Sequence, residues 1–430
     1  MSTSKRSHTP KPKKLANGLH YLIVPGDGQT VSVSVLIKTG SAYESKKESG
    51  IAHFLEHMMF KGTKKRLTAK DISIDFEKIG AHNNAFTSSV ITGYWAKSQK
   101  DHAHTILEIL SDIYHNAQFR TVDMEKEKGV VIQEMAMYED MPQEKVSMMM
   151  DELIYPDQPF GRSTLGTKET VMSFTEKDLR RFYDTHYSRA RTWVVISGGV
   201  DEKTIEKDIK KLFNQKAPTT LKTVPTDHKP TEPKPSKMAD KRSLLEKKTD
   251  QVHMVISMAV GGAEDADRYV YEILATILGR GMSSRLFIKM REELGICYYA
   301  NAGYNFQTDT KGVFYMTAGV DTTRVEEAVR GLQQECKLLT QELVAEDEIA
   351  KAKQMLKAGL AMGMETAEDI ANFYAFQYIR KGKALTVEDV YKKIDAVKSA
   401  DVLRVAKKIF VTKHMYVAAM GQGVKDLRLE

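Results

Sequence analysis

The feature that most narrows the fold is a repeat: two halves of the chain end in the same way. Thr175-Glu176-Lys177-Asp178 opens a short helical pattern, followed by an apolar strand pattern through Trp193 to Ile196 and then Gly198. Lys398-Ser399-Ala400-Asp401 opens another, followed by a strand pattern through Met415 to Ala419 and then Gly421. Asp178 to Gly198 and Asp401 to Gly421 are both separations of 20 residues, so an internal duplication is inferred. Between the halves lie five of the 11 prolines, from Pro218 to Pro235, among Thr and Lys with few large apolar residues. That composition reads as a linker. The expected organisation is an N-terminal half at 1–217, a linker at 218–240 and a C-terminal half at 241–430.

Each half also opens alike. Val31 to Ile37 alternates apolar and polar residues for most of its length, and Gln251 to Met258 is its counterpart. An apolar helical pattern follows each, at Gly50 to Phe60 and at about Arg268 to Leu278. Longer helical periodicities come later, at His104 to His115, Glu125 to Glu139 and Val325 to Leu339. Met148 to Met150 reads as core filler on a helix rather than as soft-metal ligands. Strands with segregated helices predict an α+β fold in both halves.

Chemistry concentrates at His53-Phe54-Leu55-Glu56-His57. At about 100° per residue, His57 lies about 40° around the helix from His53, and Glu56 about 60° to the other side. Two imidazoles can then ligate one zinc ion while the carboxylate acts on water rather than on the metal. The order H-x-x-E-H is the inverted form of the commoner zinc signature. Five residues with three fixed positions also fit two surface histidines on an amphipathic helix. The second half's helix carries no histidine, so only one copy would keep the metal.

Other classes are disfavoured. Cys297 and Cys336 are the only cysteines, which excludes a disulfide framework and a cysteine-rich zinc site. A reducing setting fits, giving a cytoplasmic expectation with the mitochondrial matrix as the alternative. The formal charge of +7 is spread among interleaved acids without a nucleic-acid motif. No run of about 18 apolar residues predicts a membrane span. The first 26 residues carry several cations and no acid, but Pro10 and Pro12 oppose a targeting helix. They read as a solvated basic tail.

A zinc ion with two protein histidines usually takes a third protein ligand. Glu127 and Glu134 are seven apart in one helical pattern and share a face. From the residues alone, two solvated helix carboxylates among 57 acids are the better reading.

The run His53 to Thr63 (HFLEHMMFKGT) resembles the signature of the pitrilysin, or insulysin, family of zinc metallopeptidases. Asn17-Gly18-Leu19 resembles that family's first strand, Asn84-Ala85-Phe86-Thr87 its substrate-binding edge strand, and Gly161-Arg162 with Leu165-Gly166 a downstream segment. The resemblance places the third zinc ligand at Glu134 and a supporting carboxylate at Glu127. Arg291 and Tyr298 resemble the family's arginine and tyrosine, seven residues apart, that reach the active site from the other domain. Arg280 stands where glycine is common, which raises a question about that loop's backbone.

The resemblance implies two homologous halves, each of related α+β domains, enclosing substrate as a clam shell. It implies a zinc endopeptidase with one Zn2+ per chain, held by His53, His57 and Glu134, with Glu56 as base. Tyr298 would stabilise the oxyanion; Arg291 and Asn84 to Thr87 would bind an extended peptide. Members of this length resemble the processing-peptidase branch, and with both the zinc motif and the Arg/Tyr pair present the expectation is a homodimer. The alternative is a non-catalytic structural or peptide-binding subunit of a larger assembly.

Overall fold

A computed structural model describes residues 9–214 and 229–429. Residues 218–228 of the proline-rich linker, and the first eight residues of the basic tail, lie outside the described residues. Packing sorts the chain into two compact units.

The first unit is built on a sheet of β1 (Lys13–Lys14), β2 (His20–Pro25), β3 (Thr30–Ile37), β4 (His82–Thr87), β5 (Thr92–Gln99) and β6 (Thr192–Gly198). Its order is β1-β2-β6-β3-β5-β4. β2 runs parallel to β6, and the other pairs are antiparallel. Every residue of β6 is buried. Side chains alternate between faces, and both faces are covered. Leu22, Val24, Leu36, Trp193 and Val195 pack against Ala371, Tyr374, Ala375 and Ile379 of the Ala367–Lys381 helix. The Ala103–Asn116 helix packs on β3 and β5. Burial on two faces is why β6 reads as an unbroken apolar run rather than as an alternation.

The second unit holds β7 (Arg242–Glu246), β8 (Gln251–Val260), β9 (Cys297–Phe306), β10 (Gly312–Asp321) and β11 (Met415–Gly421). Its order is β7-β11-β8-β10-β9, and only β7 and β11 pair in parallel. Counted from β2 and from β7, both sheets run first-fifth-second-fourth-third with the same pair directions. The duplication read from the chain ends thus extends to the whole sheet. Helices Arg268–Gly279, Val325–Gln341 and Ser399–Ile409 supply much of the core around β8, β10 and β11.

Each sheet also takes a helix from the opposite half of the sequence. Pro142–Ile154 packs on β8 and β11, while Ala367–Lys381 packs on β2 and β6. Asn17-Gly18-Leu19 forms a turn leading into β2 rather than a strand. Gly18 has φ 96°, which favours glycine, and Asn17 Oδ1 accepts from Leu19 N at 3.1 Å. In the basic start, Lys13 pairs with Glu202 and Glu206.

Candidate active site

The histidine pair lies on the Ile51–Met59 helix, anchored by Ile51, Phe54, Leu55, Met58 and Met59, all fully buried. These anchors fix which way the remaining face turns. His53 is 8% exposed, and Glu56 and His57 are half-buried. Opposite them runs the Thr121–Glu139 helix, with Glu127 and Glu134 on one face. His53 Nε2 lies 3.6 Å, and His57 Nε2 3.5 Å, from the same Glu134 oxygen, Oε2. One ligand atom from each residue falls within 4.8 Å of the other two, and this is the one such group of His, Cys, Asp or Glu among the described residues.

The donor set fits zinc. Bonds of about 2.0–2.1 Å to a tetrahedral ion hold neighbouring ligand atoms about 3.3–3.4 Å apart, close to the two separations observed. Two imidazole nitrogens and a carboxylate oxygen are also the ligand types zinc takes in catalytic sites.

Glu127 settles one tautomer. It is 4% exposed, and its Oε1 accepts from His57 Nδ1 at 2.8 Å while Lys61 Nζ lies 2.5 Å from Oε2. With Nδ1 protonated, His57 Nε2 turns a lone pair towards Glu134. Burial pushes the Glu127 carboxyl up, but bonds from His57 and Lys61 outweigh it and hold the group below its usual range. Burial likewise pushes His57 down, and Glu127, with Glu134 and Glu56 adding, lifts it instead. His53 is pushed down to about 3 by burial, with His57 adding, so its ring is neutral at physiological pH. Burial raises Glu134, with His57 opposing.

Glu56 is raised by burial, with Thr87 and His57 opposing. Thr87 Oγ1 donates to Glu56 Oε2 at 2.5 Å. A carboxylate held this way beside a His/His/Glu group that could hold a metal ion can accept a proton and return it.

Thr87 ends β4, which among the described residues pairs with β5 alone and forms one edge of its sheet. Ala85 and Thr87 share one face of the strand by alternation, and Asn84 and Phe86 the other. The Phe86 ring packs against Phe376, with centroids 6.4 Å apart. Ala85 N donates to Asn84 Oδ1 at 2.8 Å, so that N–H is turned away from β5. Of the four edge residues, Thr87 is bound to the Ile51–Met59 helix through its hydroxyl on Glu56.

The description "Insulinase (Peptidase family M16)" matches residues 24–168, and "Peptidase M16 inactive domain" matches residues 173–356. The chain belongs to the M16 peptidase family. A protein of Rickettsia bellii (strain RML369-C) described as an uncharacterized zinc protease is 32% identical over 92% of this chain and 94% of its own. The mitochondrial-processing peptidase subunit beta of Lentinula edodes is 29% identical, covering 93% of this chain and 87% of its own. The solved structure of a protease from Helicobacter pylori superposes with a TM-score of 0.85 at 24% identity, covering 96% of this chain and all of that one. It bears on the fold alone. The first M16 match contains His53, Glu56, His57 and Glu134; the second contains Arg291 and Tyr298.

In the second unit, Tyr298 enters β9 with 72% of its surface exposed. Arg291 Nη1 donates to the Tyr298 carbonyl at 3.2 Å, and its guanidinium lies 5.0 Å from the ring centroids of both Phe287 and Tyr298. The seven-residue spacing therefore makes a local pair. The question raised by Arg280 is answered by its neighbour: Arg280 is extended at φ −100°, and Gly281 takes the left-handed turn at φ 84°.

Two contributors escaped the sequence reading. Lys61, four residues past His57, lies inside the recognised run but two residues beyond the end of the Ile51–Met59 helix, and its position in that run was the available signal. Thr87 was read as a substrate contact; its bond to Glu56 spans 31 residues and leaves no local pattern.

Proposed function

We propose that this chain is a zinc-dependent endopeptidase that hydrolyses short or unfolded polypeptides bound in extended form. The observation that carries this is the convergence of His53, His57 and Glu134, with Glu56 beside them and held by Thr87. The names of the zinc protease and processing-peptidase relatives support zinc as the metal. One ion per chain is the stoichiometry a single triad accommodates.

A zinc ion held there would supply Lewis acidity to the scissile carbonyl and make water a better nucleophile. The chain's own groups do the rest. Glu127 orients His57, and Glu56 takes the proton from the attacking water and passes it to the departing nitrogen. The raised Glu56 pKa suits a group that must hold that proton briefly. Tyr298 would donate to the developing oxyanion, and Arg291 would bind a substrate carbonyl or carboxylate. The free edge of β4 offers backbone groups to an extended peptide.

Because one chain carries both the metal triad and the Arg/Tyr pair, we propose a self-sufficient homodimer. Two free cysteines fit a reducing compartment, and we place the activity in the cytoplasm, with the mitochondrial matrix as the other candidate. Among the described residues no helix is long and apolar enough to cross a membrane.

The test is cleavage of a mixed library of unstructured peptides, with and without chelator, beside Glu56→Gln. The expected result is chelator-sensitive cleavage that falls about 10²–10⁴-fold in the variant while zinc stays bound. Zinc-loaded protein that cleaves nothing would favour the non-catalytic, peptide-binding alternative.

A further inference from the structure

The N-terminus of the Ile51–Met59 helix is buried and lacks a cap of its own. Gly50 occupies the N-cap position at φ 91° and has no side chain to accept from the first turn. Ser49, Ile51 and Ala52 are at most 3% exposed, so water is a poor substitute there. The acceptor comes from upstream. Glu44, itself 4% exposed, takes Gly50 N on Oε2 and Ala52 N on Oε1, both at 2.8 Å. A buried carboxylate with both oxygens on N–H groups at the positive end of a helix is a charge-assisted clamp.

The opposite side of this turn is also fixed. A Cβ on Gly50 would meet Leu165 O at 2.5 Å and Gly166 Cα at 2.8 Å, and Thr170 Oγ1 donates to Ser49 O at 2.7 Å. The Leu165-Gly166 pair singled out in the sequence therefore serves as the backstop of the helix start.

We propose that Glu44 is a positioning residue for the metal site, setting the rotation and height of the helical turn that carries His53, Glu56 and His57. The inference rests on the zinc reading above. His53 follows Ala52 directly, and the two metal-facing rings are held differently. His57 is oriented through its ring by Glu127, whereas His53 Nδ1 has no hydrogen-bond partner among the described residues. The aim of His53 therefore depends on its backbone. Side-chain atoms lie about 5–6 Å from a helix axis, so a rotation of about 10° moves a ligand atom by about 1 Å, enough to spoil a metal site.

The experiment measures zinc affinity by chelator competition, the visible spectrum of the cobalt-substituted protein, and melting temperature. It compares the unsubstituted chain with Glu44→Gln, Glu44→Asp and Ile209→Ala, the last removing a fully buried side chain from the Glu202–Phe213 helix. Glu44→Gln keeps the size but loses the charge and one acceptor. It should weaken zinc binding at least about 10-fold and shift the cobalt bands. Glu44→Asp should lie between that variant and the unsubstituted chain. Ile209→Ala should lower the melting temperature while leaving affinity and spectrum unchanged.

Unchanged zinc affinity and spectrum in Glu44→Gln, or losses no larger than in Ile209→Ala, would overturn the proposal. If Glu44→Gln does not fold, the same comparison is made with Glu44→Asp, and unsubstituted-chain values there would overturn it equally. An unsubstituted chain that takes up no zinc would defeat the zinc reading and this inference together. Tight zinc in that chain with no effect at Glu44 would defeat this inference alone.

Discussion

Glu56 and Glu134 carry the same functional group and are held for different work. Glu134 presents one oxygen to both imidazole Nε2 atoms, whereas Glu56 Oε2 is held by the Thr87 hydroxyl. A hydrogen bond to a charged group contributes about 1.5–3 kcal/mol, and here it also aims the carboxylate. Replacing Thr87 with Val keeps the shape and removes the hydroxyl. The expected outcome is a kcat about 10- to 100-fold lower with zinc content unchanged, read by steady-state kinetics on metal-quantified protein. An unaltered kcat would show that the Thr87–Glu56 bond does not serve turnover. The legibility of these residues follows from distance along the chain. His53, Glu56 and His57 were visible because a helical repeat acts within five residues. Glu127 and Glu134 needed a family resemblance to stand out among 57 acids. The Thr87 bond and the Glu44 clamp exist only once strand and helix have packed.

At the scale of elements, β4 is the part whose backbone remains available. Ala85 N is satisfied by the neighbouring Asn84 side chain rather than by β5, so an incoming peptide carbonyl would displace Asn84 Oδ1 and take the N–H. Ala85→Pro removes that donor without removing one that β5 uses, and proline is tolerated on edge strands. Peptidase assays with extended substrates should then show a raised KM, with zinc content and melting temperature close to those of the unsubstituted chain. An unchanged KM would mean that peptides do not add to this edge through Ala85. The extents of the main helices were readable from periodicity, and Gly50 to Phe60 was read within one residue of the observed helix at each end. The resemblance sets Asn17 to Leu19 on a strand, whereas Asn-Gly is a turn signal and the strand begins one residue later, at His20.

In the whole molecule the two halves of the sequence are not self-contained in packing. The face of the first sheet bearing Leu22, Val24, Trp193 and Val195 is covered by Ala371, Tyr374, Ala375 and Ile379, which lie more than 140 residues beyond the end of that half. Residues 1–217 expressed alone should therefore expose this face and self-associate or digest readily under limited proteolysis, while coexpression with 218–430 restores protection. A monomeric, protease-resistant 1–217 would show that the Ala367–Lys381 helix is dispensable. The duplication was legible because the halves end alike, but the exchanged helices were not: periodicity locates a helix without saying which sheet it covers. Everything proposed for this site depends on one zinc ion lying among His53, His57 and Glu134, and the zinc-edge X-ray absorption spectrum of the intact protein is the measurement to make. The expected spectrum shows nitrogen and oxygen neighbours alone at about 2.0–2.1 Å, with imidazole scattering from two rings and a changed spectrum or lost zinc in Glu134→Gln. Sulfur neighbours at about 2.3 Å, or a spectrum and zinc content indifferent to Glu134→Gln, would contradict it.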